Sequence, residues 1–262
     1  GSDQQSVEAL GNAFVEGLGK LDEHFKGNMQ GLILDLRGNS GGAVDLAKMI
    51  ASLFIEKGTF IKQEERTGRV SSRTEEMFNP PMKYNFIGVP PEVLSLMSRL
   101  YMVVLVNGSS ASSSEILSGT LMDNNRAVIV GTQTFGKAVA FVVQPTPAGG
   151  FLQVTTMHYL TPAGNDIAGK GITPNIVIDN KRGKQATDEQ LALATKIVTD
   201  AVTKMNGTGQ TAVPAQQGNQ GFGGDSVLYI SIGLGLIVLL VVLGGAWHHY
   251  RKQRDEAERK HK

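Results

Sequence analysis

The chain has no cysteine, one tryptophan and five histidines, and each shortage removes a class of chemistry. Without cysteine it can hold neither a disulfide nor a thiolate-ligated metal. His248, His249 and His261 fall near the end, so only His24 and His158 stand in the body, and no metal-ligand spacing joins them. His158, ahead of Tyr159 in a strand-like run, reads as structural rather than catalytic. A formal net charge of +1 leaves no electrostatic case for binding nucleic acid. There is no P-loop and no dinucleotide fingerprint, so no cofactor is expected.

What the chain does have is serine placed at a turn. YMVVLVN at 101–107 is a valine-rich apolar run that predicts a buried strand. Gly108 leads from it into SSASSSEIL, a sharp strand-to-helix elbow. Such an elbow presents a side chain at the sheet edge and leaves free N–H groups at the helix start, where developing negative charge is stabilised. RAVIVG from Arg126 predicts the next strand, and TFGK carries Lys137 at its end. A serine nucleophile with a lysine base fits this layout, and so does a solvated loop with helix-capping serines. GLILDLRGNSGG at 31–42 predicts a short strand and a glycine-rich loop whose backbone can approach a ligand closely.

These segments together resemble the C-terminal processing peptidases, also called tail-specific proteases. DLR-N-x-GG, G-S-A-S-A-S-E and T-F-G-K recur in that family in this order. Here they stand as DLRGNSGG, GSSASSSE with one extra serine, and TFGK. YLTPAGNDIAGKGITPNIVI at 159–178 looks like the family's Y-x-T-P-x-G stretch, and a last helix opening DEQLALA matches too. The resemblance covers roughly residues 5–204.

It implies Ser112 as the nucleophile and Lys137 as its base, since Ala111 matches the first alanine of the motif and the interval to Lys137 agrees with the family's dyad. Ser109, Ser110, Ser113 and Ser114 are then turn and cap residues. The oxyanion hole is expected from the Ser113 N–H and one glycine of the DLRGNSGG loop, Gly41 in preference to Gly42. A lysine is protonated at neutral pH, so the role requires burial to lower its pKa to about 7–8. Phe135, Val139 and Phe141 are the apolar candidates for that burial. The family often has an orienting glutamine four residues after the lysine, and Phe141 stands there instead. Gln144 is the nearest glutamine, and it reaches the role only if the strand is shifted or bulged.

The resemblance also implies the fold: α/β, a spiral of ββα units shared with the ClpP and crotonase proteins. A body of about 200 residues suffices for one sizeable core. Residues 1–204 are expected to be the catalytic domain, 205–225 a Gly/Gln-rich flexible linker, 226–248 a transmembrane helix and 249–262 a basic cytoplasmic tail. The uncharged run from Val227 to Trp247 would measure about 31 Å as a helix, enough to span a bilayer core. Arg251, Lys252, Arg254, Arg259, Lys260 and Lys262 follow it, which places the tail in the cytoplasm and the domain outside it. A tail-anchored protein with a cytosolic body is the rival topology.

At the other end, Val7, Leu10, Phe14, Leu18 and Leu21 predict a helix. No signal peptide and no PDZ module precede it, and the chain reads as a fragment of a longer protein. Residues 62–100 read as a lid, a substrate groove or a surface insertion. The expected activity is that of a membrane-anchored serine endopeptidase acting on proteins with accessible, apolar C-termini. A catalytically silent peptide-binding or scaffold domain is the alternative, with Phe141 as its motive. A crotonase-like acyl-CoA enzyme, needing neither Ser112 nor Lys137, is a third. Oligomeric state is left open.

Overall fold

Two strands that are apolar at nearly every position require cover on both faces. β1 (Gly31–Asp35) and β4 (Tyr101–Val106) are such strands, and in a computed structural model they lie side by side and parallel. Residues 2–24, 28–67, 70–78, 91–146, 149–181, 187–208 and 236–239 are described. One face of the sheet sends Leu32, Leu34, Met102 and Val104 into a core with α1 (Ser2–His24), α2 (Val44–Phe54) and α4 (Ser113–Asp123). The other face sends Ile33, Val103 and Leu105 against Ala194, Val198 and Val202 of α5 (Glu189–Thr208). Each fully buried branched side chain there contributes about 1.5–3 kcal/mol relative to exposure. The sequence alternates faces without alternating polarity because helices cover both.

β5 (Val128–Gly131) and β8 (Ile176–Val177) extend the parallel sheet on the β4 side, and β9 (Leu236–Leu239) pairs β1 on the other, giving the order β8-β5-β4-β1-β9. The predicted strands at 31–35, 101–107 and 126–131 and the predicted first helix are all present, and the fold class is α/β with a parallel sheet.

A second, antiparallel sheet has the order β3-β2-β7-β6, from β2 (Gly58–Thr67), β3 (Val70–Phe78), β6 (Val139–Pro145) and β7 (Phe151–Leu160). The stretch read as a lid or insertion therefore supplies two sheet strands and the short helix α3 (Pro91–Arg99). Its charged sequence concealed this, because β2 gains its neighbour from β7, far along the chain. α4 joins the two sheets: Thr120 Oγ1 donates to Phe60 O at 2.7 Å and Asn124 Nδ2 to Thr59 O at 2.8 Å.

At the end of the domain α5 runs on to Thr208, past the expected linker boundary at 205. Asn206 and Gln30 exchange side-chain amide hydrogen bonds at 3.0 and 3.3 Å, which fastens that last turn to the segment before β1. Most of the expected 227–247 membrane helix lies outside the described residues. Its four described residues form strand β9 against the β1 edge rather than helix. Among the described residues no helix is long and apolar enough to cross a membrane.

Candidate active site

The loops leaving the C-terminal ends of β1, β4 and β5 converge, as the crevice of an open parallel sheet requires. β1 exits through Leu36 to Ala43, and β4 exits through Asn107 to Ser112. Buried Ser110 fastens the two: its Oγ donates to Leu36 O at 2.7 Å and accepts the Asn107 N–H at 3.0 Å. Asn107 Oδ1 accepts the N–H groups of Gly38 and Ser109, each at 3.0 Å. Asn39 O takes the Ala111 N–H at 3.0 Å. These bonds give Ser109 and Ser110 the turn roles the sequence implied.

Ser112 follows at φ 57° and ψ −121°, immediately before α4. A non-glycine residue in such a conformation costs roughly 1–3 kcal/mol and persists only where its surroundings hold it. Glu115 does much of the holding. It is fully buried, and its carboxylate accepts the N–H groups of Ser112 at 2.9 Å, Gly136 at 2.6 Å and Lys137 at 2.8 Å, and the Thr134 hydroxyl at 2.6 Å. The bonds to Ser112 and Lys137 share one oxygen, Oε2, so their backbone nitrogens cannot lie farther apart than those two legs end to end. The structure thus brings the Ser112 elbow and the Lys137 loop onto one buried anion. The motif reading passed over Glu115. Its only signal was its place three residues into the helix, where a carboxylate reaches back to the N-cap.

Gly41 packs directly on the elbow. Its φ is +95°, and a Cβ there would stand 2.6 Å from Ala111 O, 2.8 Å from Ser112 Cβ and 2.9 Å from Ser113 N. Its N–H, the donor expected for an oxyanion hole, is instead given to Asn39 Oδ1 at 2.9 Å. The N–H groups of Gly42 and Ser113 donate to no group among the described residues. The Gly41 N–H, preferred on sequence grounds, is thus already engaged by Asn39.

Two further expectations need correction. Phe135 was expected to bury the lysine amine, but it is 64% exposed, although its backbone N–H is held by Ser110 O at 3.0 Å. Lys137 and Val139 are half-buried, and the Phe141 side chain lies outside the described residues. Gln144 is not brought to the site. β6 does carry a bulge between Ala140 and Phe141, yet Gln144 is exposed and pairs Leu152, about 16 Å beyond Val139 along the strand.

Beside the elbow a cleft of about 580 Å³ is lined by Gly38, Ser109, Thr132, Arg37 and Asp188 among others. Arg37 braces its wall, bonding Asp35 at 2.7 Å and Asp188 at 2.7 Å, and so ties the β1 exit to the start of α5. Burial alone would lower its basicity, but the two carboxylates hold its pKa above the ordinary arginine value. Among the described residues no His, Cys, Asp and Glu group has the arrangement to hold a metal.

The model of Peptidase family S41 matches residues 6–178. Similar curated proteins include the carboxy-terminal-processing protease of Bartonella bacilliformis, 38% identical over 151 residues, 58% of this chain and 31% of that one. A probable CtpA-like serine protease of Staphylococcus aureus is 35% identical over 158 residues, 60% of this chain and 29% of that one. The chain thus spans less than a third of the length of these relatives. Among solved structures, the photosystem II D1 C-terminal processing protease superposes with a TM-score of 0.51 at 29% identity, over 67% of this chain and 39% of that one. All three converging loops fall inside the family match, and the chain belongs to peptidase family S41.

Proposed function

We propose that this chain carries the catalytic part of a serine endopeptidase in which Ser112 is the nucleophile and Lys137 the general base. The shared Glu115 oxygen is the observation that supports the pairing, since it holds the strained serine and the lysine backbone in one frame. In this mechanism Lys137 Nζ, as the neutral amine, takes the Ser112 hydroxyl proton as Oγ attacks the scissile carbonyl. The resulting oxyanion is met by the Ser113 N–H, with the Gly42 N–H as second donor. Collapse transfers the proton from the ammonium to the leaving amine and leaves an acyl-serine. Water, deprotonated by the same amine, then releases the new carboxylate. The names of the similar proteins favour substrates cut near their C-termini. The parallel sheet and its helices are read as part of a ββα spiral, within a catalytic domain over 1–204.

The uncharged run at 227–247 and the basic residues after it support a single membrane span, with the domain outside the cytoplasm. Such a span requires the β9 residues to leave the β1 edge. A second reading, a silent peptide-binding domain, draws on the exposed Phe135 and the distant Gln144.

The test is cleavage of an unstructured polypeptide by the full chain, Ser112→Ala and Lys137→Ala. The proposal expects cleavage by the first alone, and undiminished cleavage by either variant overturns it. Binding without cleavage by any form supports the silent domain. Protease treatment of intact cells addresses topology: loss of the tail from outside contradicts a cytoplasmic tail.

A further inference from the structure

His158 stands one strand away from the serine–lysine pair. β6 and β7 pair so that Val139 lies opposite His158, and Tyr159 donates its N–H to Ala138 O at 2.7 Å. The residues directly after Lys137 are therefore held by β7. The residue directly before it is held from elsewhere. Gly136 O accepts the Gly169 N–H at 2.9 Å, and at φ +92° a Cβ on Gly136 would stand 2.8 Å from Lys170 N and 2.9 Å from Gly171 N. The Lys137 backbone is thus gripped from two sides, by β7 and by the loop 161–172.

One contact fixes those two grips relative to each other. The loop leaves β7 at Leu160, turns with Gly164 N–H to Thr161 O at 2.7 Å and Thr161 N–H to Asn165 O at 3.0 Å, and returns with Asp166 bridging Leu160. At that return Asp166 Oδ1 lies 3.1 Å from His158 Nε2 and accepts the Ala168 N–H at 2.9 Å. Nε2 is sealed from water, with the Asp166 carboxylate as the partner at its edge. From β2, Glu64 Oε2 faces Nδ1 at 3.8 Å, and Glu64 pairs His158 in register. From the loop, Lys170 acts on Asp166, while β6 presents Val139. The Asp166 carboxyl lies below its ordinary range, first through the Ala168 N–H and then, against a small cost of burial, through His158 and Lys170. Two carboxylates from separate elements thus face one ring.

We infer that His158, held between Glu64 and Asp166, is a positioning residue for Lys137, tying the 161–172 loop to β7 and fixing the frame that holds the lysine. The inference rests on the Ser112 and Lys137 reading above. Loss of the ring removes the partner that Asp166 meets on β7, and the loop's hold on Gly136 loosens.

The test uses the full chain, with His158→Gln, His158→Lys, Asp166→Asn and the Gln/Asn double variant. It measures steady-state cleavage of an unstructured polypeptide and amide hydrogen exchange of residues 134–138. His158→Gln and Asp166→Asn should each lower kcat about tenfold with KM nearly unchanged, as expected of a small misplacement. The double variant should cost no more than either single one, because the two act through one contact. His158→Lys keeps a donor facing Asp166, and should restore much of kcat and of the exchange protection at 134–138. Additive losses, an effect on KM alone, or unchanged exchange at 134–138 in His158→Gln would overturn the inference. Exchange needs no catalysis, so a chain that cleaves nothing sinks the peptidase reading while exchange alone still decides this one.

Discussion

The buried Glu115 carboxylate accepts the Thr134 hydroxyl at 2.6 Å, and the same hydroxyl oxygen accepts the Ile172 N–H at 2.6 Å. Thr134 therefore passes the order imposed at the elbow on to the loop that leads into β8, and Thr134 N–H closes the exchange onto Ile172 O at 3.1 Å. A group with both duties has no apolar substitute. Thr134→Val keeps the shape but orphans the Ile172 N–H and takes one donor from the Glu115 carboxylate, and should destabilise by about 2–3 kcal/mol. Thr134→Ser keeps both bonds and should stay within about 1 kcal/mol of the native chain. Urea denaturation of the two variants checks this, and equal losses would show that the methyl group matters more than the hydroxyl.

Glu115→Gln tests the anchor itself. An ionised carboxylate is acceptor-only, and all of its four partners are donors. An amide must point an NH2 at one pair of them. The expected cost is about 3 kcal/mol of stability, with a fall in kcat on the unstructured polypeptide larger than any change in KM. Native-like turnover would mean that the elbow keeps its conformation without this anion.

Much of the parallel sheet was legible because β1 and β4 are apolar on both faces, a pattern that survives without knowledge of their partners. The segments of the site were legible for a different reason, since glycine and serine clusters mark turns wherever they fall. What could not be read was every relation between segments. Glu115 looked like one more motif residue because its partners Thr134, Gly136 and Lys137 come from another strand's exit. Gly41 was preferred as an oxyanion donor because nothing in the sequence says that Asn39 folds back on its N–H. The β2–β3 pair looked like an insertion, because an antiparallel strand with polar faces carries little apolar signal until β7 is placed beside it.

The contrast between Gly41 and Gly42 is a prediction about close approach. Gly41→Ala adds a Cβ at φ +95° against the backbone of Ala111 and Ser113, so the elbow must shift. A loss of about 2–4 kcal/mol and of most cleavage is expected. Gly42→Ala meets open space and should leave stability within about 1 kcal/mol. Thermal denaturation and cleavage assays on both variants separate them, and equal behaviour would deny Gly41 its place against the nucleophile.

Acid should act on the join between β1 and α5. Burial alone would raise the Asp188 pKa, but the Arg37 guanidinium and the Leu191 N–H outweigh it and hold it below the ordinary 3.8. A carboxyl with a lowered folded pKa contributes its full stabilisation above the unfolded value and loses it as pH falls through the folded value. Asp188→Asn should therefore lower stability at neutral pH and flatten the acid limb of the stability curve. Unfolding free energies measured from pH 6 down to about pH 2 check both parts. An unchanged acid limb would assign that limb to other carboxyls.

Arg126 poses the opposite problem, a cation taken out of water with no carboxylate against it among the described residues. Burial pushes its pKa down to about 10. It remains there because Nε donates to Phe54 O at 3.0 Å and a terminal nitrogen to Met97 O at 2.7 Å, with the guanidinium 5.5 Å from the centre of the Phe54 ring. These bonds satisfy carbonyls at the C-terminal ends of α2 and α3, which helices leave open. Arg126→Met preserves the apolar stem and removes the desolvated charge, a gain, but orphans both carbonyls at about 1–3 kcal/mol each. The carbonyls should win, with a net loss of about 2 kcal/mol, and Arg126→Lys, which can reach one of them, should fall between. Chemical denaturation midpoints of the three chains decide it, and a raised midpoint in the methionine variant would mean that desolvation of the charge outweighs the two bonds it makes.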